Sequence, residues 1–339
     1  MAEPRRLPPR LVLPALGLAL LAVTVLALGS GQIAVPWSHL LHPGALTGPE
    51  RLVVVELRLP RVLTAALVGA GLAGAGAALQ ALFRNPLAEP ALIGVSAGAA
   101  LGAALVIVAG GGLALGLGAL SPPALAASAG GLLTTLAVMR LARVDGVVQV
   151  ATLLLAGVAI NALVGACTGL LAWAADDPAL RALTLWLLGS FAGAGWPTVV
   201  LCALGVLVPL AGLLRVAPAL NLLLLGEAEA GHLGVAVERL KRGVVLATAL
   251  MVGVSVAAAG VIGFVGLVVP HLLRLTGGPD HRVLLPGAAL LGALLLVAAD
   301  TLARQLAAPA ELPVGLLTAL VGGPFFFALL LGQRGRLLS

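Results

Sequence analysis

Few residues of this 339-residue chain carry chemistry, and the one polar island deep inside it is the stretch Asn221 to Arg242, which reads NLLLLGEAEAGHLGVAVERLKR. It holds Glu227, Glu229 and Glu238, His232, Arg239, Arg242 and Lys241, the only lysine in the protein. Each charge would cost about 2.5–3.5 kcal/mol at the centre of a bilayer, so an island flanked by apolar runs belongs in water beside a membrane. Gly226 and Gly231 divide it into short helical pieces, because glycine costs roughly 1 kcal/mol against alanine inside a helix and marks helix ends. Two stubby helices on a membrane face serve a soluble partner, or form a solvated loop without one.

Catalytic signatures are missing or out of context. Gly94, Ser96 and Gly98 fit a GxSxG string, but a nucleophile elbow needs a strand-to-helix turn and a histidine partner, and this string opens an apolar run. There is no HExxH. A Walker A lysine must precede Ser or Thr, whereas Lys241 precedes Arg242, so any ATP spent on this chain's behalf is hydrolysed by another polypeptide. His39, His42, His232, His271 and His281 stand apart, and Cys167 and Cys202 lie singly in apolar runs. Neither a metal site nor a disulfide framework is indicated.

A membrane is what must position these residues. The chain is 61% apolar and 9% charged, with a mean hydropathy of +1.16, where a soluble domain carries about 25% charged residues. The net charge of +6 is spread as single basic residues with no stripe or arm, which excludes nucleic acid as a partner. About 20 apolar residues cross a bilayer as a helix. The uncharged runs therefore predict an all-α polytopic membrane protein with ten spans, at 11–29, 62–83, 91–109, 121–140, 147–173, 196–214, 237–259, 262–275, 283–303 and 313–332.

Loop signals at Gly110, Gly111, Gly112, Ser121, Pro122 and Pro123 divide one long run in two, and a short surface helix over 178–188 precedes the sixth span. The first run, behind Arg5, Arg6 and Arg10, exceeds the apolar region of a signal peptide and reads as an uncleaved span. With both termini in the cytoplasm, fourteen basic residues fall inside and five outside. That arrangement needs the seventh span to start near Val237 with its basic residues snorkelling, and a short eighth span containing Pro270.

Gly94, Gly98 and Gly102 form a row of small residues that lets helices approach closely, and Gly157, Asn161, Gly165 and Gly169 form a second. Asn161 within it makes an interhelical hydrogen bond or lines a polar pathway. On the outer side, Arg58, Arg61 and Arg304 suit an acidic docking partner; lipid phosphates, or a pairing of Arg304 with Asp300, are the alternatives. Asp177 followed by Pro178 reads as N-cap and N1, placing Arg181 in the first turn of the short helix, where a cation opposes the helix dipole and suits an anion. All thirteen acids fall in loops or at span ends, which disfavours an ion-coupled carrier.

In ELRLPRVL (56–63), LQALFRNPLAEPALIGVSAGA (79–99), LLLLGEAEAGHLGV (222–235), GVIGFVGLVVPHLLRL (260–275), GPDHRVLLPGAALLG (278–292), ADTLAR (299–304) and ELPVGLLTALVGGPFF (311–326), the chain resembles the permease subunits of type II ATP-binding-cassette (ABC) importers for iron siderophores, haem and cobalamin. The resemblance covers nearly the whole length; Glu89, where aspartate is common, and Gly323, where alanine is common, are small departures.

It implies the type II ABC importer permease fold, a homodimer with the pathway on its axis, two separate ATPase subunits inside and a periplasmic binding protein outside, in a lipid-embedded subunit of the bacterial inner membrane. It further implies that the helices over 219–234, through Gly226, Glu227, Ala230, Leu233 and Gly234, dock the ATPase. Arg58, Arg61 and Arg304 would receive glutamates of the binding protein, and Asn161, Thr168 and Arg181 would line the pathway. No cofactor is resident. Residues 176–196 and 308–315 are similar to haem permeases, with Arg181 matching an arginine of that branch, so haem is the expected cargo, with ferric siderophore and cobalamin as alternatives.

Overall fold

Proline and glycine punctuate this chain more than polar residues do. Proline stands in the first two positions of helix after helix, where its missing N–H leaves no intrahelical bond unmade. The fold is described from a computed structural model covering residues 8–337 apart from 32, 34, 43, 45, 111–120, 145, 308 and 309. Arg5, Arg6, Gly111, Gly112, Ala308 and Pro309 therefore lie outside the described residues.

In chain order the helices are α1 (Pro9–Gly29), α2 (Trp37–Leu41), α3 (Gly48–Arg51), α4 (Leu59–Leu82), α5 (Val95–Ala109), α6 (Pro122–Leu141), α7 (Val150–Ala174), α8 (Asp177–Leu187), α9 (Trp196–Arg215), α10 (Ala217–Leu223), α11 (Glu227–His232), α12 (Val237–Ala259), α13 (Val265–Gly277), α14 (His281–Leu306) and α15 (Val314–Leu337). Seven are long and apolar enough to cross a membrane, and Val95–Ala109, Val265–Gly277 and Val314–Ala328 are shorter apolar helices.

The centre of the bundle is α4, in which every residue from Val68 to Leu82 is buried. It packs against α9, α12, α13 and α14. Its Gly- and Ala-rich sequence is the reason. In lipid, helices associate by van der Waals contact, and small residues let backbones meet. A side chain at Gly69 would strike the backbone of Gly292 on α14, and one at Gly76 the backbone of Gly266 on α13.

The two rows of small residues fare differently. Gly98 abuts Gly130 and Gly102 abuts Ala126, binding α5 to α6, whereas on α7 only Gly157 is crowded, by the Leu92 carbonyl. Gly165 and Gly169 meet nothing within 4 Å in this chain. Identical spacing tells only that a close approach is permitted; the partner decides whether it is used.

Three other features depart from expectation. The second span does not begin in a loop: α3, opened by a capping box between Thr47 and Glu50, runs through a π-helix, Leu52–Arg58, directly into α4. The short helix is capped by Asp176, not Asp177, because the Asp176 carboxylate reaches the Ala179 N–H at 2.9 Å. Ahead of α7, β1 (Arg143–Val144) and β2 (Val147–Val148) pair as a small antiparallel hairpin, which takes up the first residues assigned to the fifth span.

Gly76→Val should force α4 and α13 apart, an overpacking cost of about 1–3 kcal/mol. Gly17→Val on α1, where an added Cβ meets nothing within 4 Å, should stay within ~0.5 kcal/mol of the parent. Thermal unfolding in detergent checks both, and equal midpoints for the two variants would contradict the packing.

Candidate functional site at the two ends of the bundle

Helix α14 sets the geometry. Its first residues contact the island and its last turns the cluster of Arg58, Arg61 and Arg304, and at 1.5 Å per residue the two charged clusters lie about 30 Å apart, the thickness of a hydrocarbon core.

At the island end, α10 and α11 are separated by Gly226 (φ +135°) and followed by Gly234 (φ +86°), conformations that favour glycine. Ala230 is fully buried beneath α11, while Leu225 and Leu233, 64% and 59% exposed, stand at the surface with the exposed Glu229. Asn221 ties this unit to α14: its amide donates to Asp280 Oδ1 (2.7 Å), and its Oδ1 accepts from the His281 backbone N–H (2.9 Å). The Arg282 backbone N–H, with the Asn221 amide second, holds the Asp280 carboxyl below the usual carboxylate range.

Lys241 corrects the snorkelling expectation. It is 1% exposed and turns inward, where Nζ donates to Glu227 Oε2 (2.7 Å) and to the Val148 carbonyl (2.7 Å) and pairs with Glu238 (2.8 Å). Glu238 Oε2 in turn accepts the Val148 N–H (3.1 Å). A lysine so buried is stable only with partners of opposite charge and full hydrogen bonding. The sequence stretch supplies both acids. The consequence is mechanical: one ammonium joins α11, α12 and the hairpin that leads into α7, and Glu227 is held from within the chain.

At the opposite end the three arginines are not the exposed cations that the sequence suggests. Arg58 is buried and donates to the carbonyls of Leu28 (2.8 Å) and Ile33 (2.6 Å). Arg304 donates to Ala27 (3.3 Å) and Ser30 (3.4 Å) and pairs with Asp300 at 3.3 Å, the alternative weighed for it. Both therefore sit over the C-terminus of α1, where orphan carbonyls and the helix dipole favour cations. Arg61 is held by Asp300 through Nε and Nη2 and by Glu311 through Nη1 (2.8 Å to each acid at the closest). Sequence separation hid this pairing, since Arg61 and Asp300 are 239 residues apart.

The expected pathway residues make separate contacts within the chain. Asn161 Nδ2 donates to the Ala91 carbonyl (2.9 Å), the interhelical bond anticipated, while its Oδ1 is buried without a partner. Thr168 bonds back to the Val164 carbonyl, and Arg181 is exposed on α8. Ser96 lies in the first turn of α5, beside a cavity of about 60 Å³ that Glu89 also lines, with no histidine in its wall. Glu89, in a connection that folds against the bundle, accepts the N–H of Phe264 (φ +67°) at 3.0 Å, a link the sequence did not announce.

The helical bundle, with its small-residue packing and apolar candidate spans, superposes on a solved ABC transporter, and the chain is a membrane permease of the type II ABC importer fold. The chain belongs to the FecCD transport family, which matches residues 19–332. It is 48% identical to the hemin transport system permease protein HmuU of Yersinia pestis, over 97% of this chain and 98% of that protein. It is 45% identical to the vitamin B12 import system permease protein BtuC of Salmonella typhi, over 93% of each. A solved structure described as an inward-facing ABC transporter of metal-chelate type superposes with a TM-score of 0.84 at 35% identity, covering 95% of this chain and 99% of that one.

Lys241→Met should destabilise the fold by about 1–3 kcal/mol, because it strips the Val148 carbonyl of its side-chain donor and leaves two acids facing each other. Glu227→Gln, on the more exposed pair, should cost under about 1 kcal/mol. Thermal denaturation of the purified variants measures both, and an unaffected Lys241→Met protein would remove the clamp.

Proposed function

We propose that this permease carries haem from a periplasmic binding protein into the bacterial cytoplasm, as a homodimer driven by two separate ATPase subunits. The observation that carries the reading is the contrast between two unlike ends: exposed leucines around acidic Glu229 at one, a largely buried arginine cluster topped by the exposed Glu311 at the other. Exposed apolar side chains beside a charge suit a protein groove. The island is the ATPase-docking unit on the cytoplasmic side: Leu233 and Gly234 stand at its surface, and Gly226, Glu227 and the buried Ala230 hold its shape. The arginine end faces the binding protein. Its basic residues are mostly spent on α1 and Asp300, so Arg61, which already binds one exposed carboxylate, is the arginine offered to an acidic partner.

The outer face of α7 supports the dimer. Leu155, Val158, Leu163, Leu170 and Trp173 are exposed, and the small residues Gly165 and Gly169 are open on the same helix. A second copy set against α7 would place Asn161, Thr168 and Arg181 along a shared axis. The cargo inference rests on the similarity to the Yersinia pestis permease and on chemistry: Arg181, exposed at the mouth, suits the propionate carboxylates of haem, and a pathway without a single tyrosine suits a flat apolar macrocycle released by weak contacts. Transport then proceeds by alternating access, in which motion of the ATPases at the island reaches α7 through Lys241 and the hairpin.

Proteoliposomes holding the permease, its ATPase and its binding protein should take up haem when ATP is inside, and should leave cobalamin and a ferric siderophore outside. Arg181→Ala should lower haem uptake roughly five- to tenfold while ATP hydrolysis continues. Uptake of cobalamin in place of haem would overturn the cargo assignment.

A further inference from the structure

The Arg61 guanidinium is held in two unequal ways. Asp300, 3% exposed, takes the Nε and Nη2 fork from within the bundle, with three contacts of 2.8–3.1 Å. Glu311, 43% exposed, rests both carboxylate oxygens on Nη1 alone, at 2.8 and 3.0 Å. The forked contact is the stronger and more directional, and its acid has no route to water. The end-on contact is replaceable, since a carboxylate so exposed regains hydration when it leaves and such pairs contribute little. Glu311 also stands next to residues that fasten two elements: the Leu312 N–H reaches the Ala303 carbonyl on α14, and the Val314 N–H, at the start of α15, reaches the Gly189 carbonyl just beyond α8.

We propose that Glu311 is an internal stand-in for the acidic side chain of the docking partner, occupying Arg61 Nη1 until a carboxylate of the binding protein displaces it. The inference rests on the reading of Arg61 as a docking residue. Asp300 keeps the guanidinium aimed in both states, so the exchange swaps one ion pair for another and leaves no buried charge alone. With Glu311 in place, Arg61 and Arg304 are matched by two carboxylates; with it swung away, the site gains a full positive charge for an acidic partner. Docking is thereby made reversible.

The test is the affinity of the cognate binding protein for the permease–ATPase complex in nanodiscs, with Glu311→Gln, Glu56→Gln and Arg61→Glu beside the parent. Glu56 is an exposed acid of the same π-helix that precedes α4, so its neutralisation makes the same change of charge and frees no guanidinium. Glu311→Gln should bind roughly two- to fivefold more tightly, mostly through slower dissociation. Glu56→Gln should match the parent. Equal affinities for the Glu311→Gln and Glu56→Gln complexes, or a weaker Glu311→Gln complex, would overturn the stand-in while leaving Arg61 as a docking residue. An Arg61→Glu complex as tight as the parent would instead remove the docking reading itself, and the stand-in with it.

Discussion

A hydrocarbon layer tolerates neither a loose charge nor an unpaired backbone group, and the arrangement of this chain follows from that constraint. Lys241 shows its force most clearly. An ammonium 1% exposed would be untenable alone, so Glu227, Glu238 and the Val148 carbonyl converge on it from three different elements. What satisfies the electrostatics also sets the mechanics: α11 cannot shift without acting on α12 and on the hairpin before α7. At the far end Asp300 plays the corresponding part, lying between Arg61 and Arg304 and joining α4 to the last turns of α14.

Between the two ends the bundle is held by closeness. Helix α4 is threaded through the others on glycine and alanine, and its contacts with Gly292 and Gly266 leave no room for a side chain. Lipid offers no hydrophobic drive for helix association, so such packing carries the stability that a soluble core would draw from burial. The open face of α7 is the exception. It carries large apolar side chains and two uncrowded glycines, which the proposed packing against a second copy would cover.

Much of the fold was legible from uncharged run length alone, because crossing a bilayer demands about 20 apolar residues whatever their identity. The start of α12 at Val237 was forced by the need to place Lys241 and Arg274 on one side. What stayed hidden was orientation about helix axes and contact over long separations. Glu238 and Lys241 stand three residues apart and their pairing could be read, yet nothing announced Glu227 or Val148 as further partners. Asp300 and Arg304 are one turn apart; Arg61 is far away in sequence. The π-helix over Leu52–Arg58 left no trace because VVVELR has neither a helical nor a strand period, and the choice between Asp176 and Asp177 as cap turns on a single rotation of the backbone.

Docking of unlike partners at the two ends requires the island and the arginine cluster to lie on opposite sides of one membrane. The most direct measurement is the labelling of single cysteines, Leu233→Cys and Glu56→Cys, in a background of Cys167→Ala and Cys202→Ala, with a thiol reagent that does not cross lipid. Leu233→Cys should react only in inside-out vesicles and Glu56→Cys only in right-side-out ones. Labelling of both from the same side would contradict the two-ended arrangement.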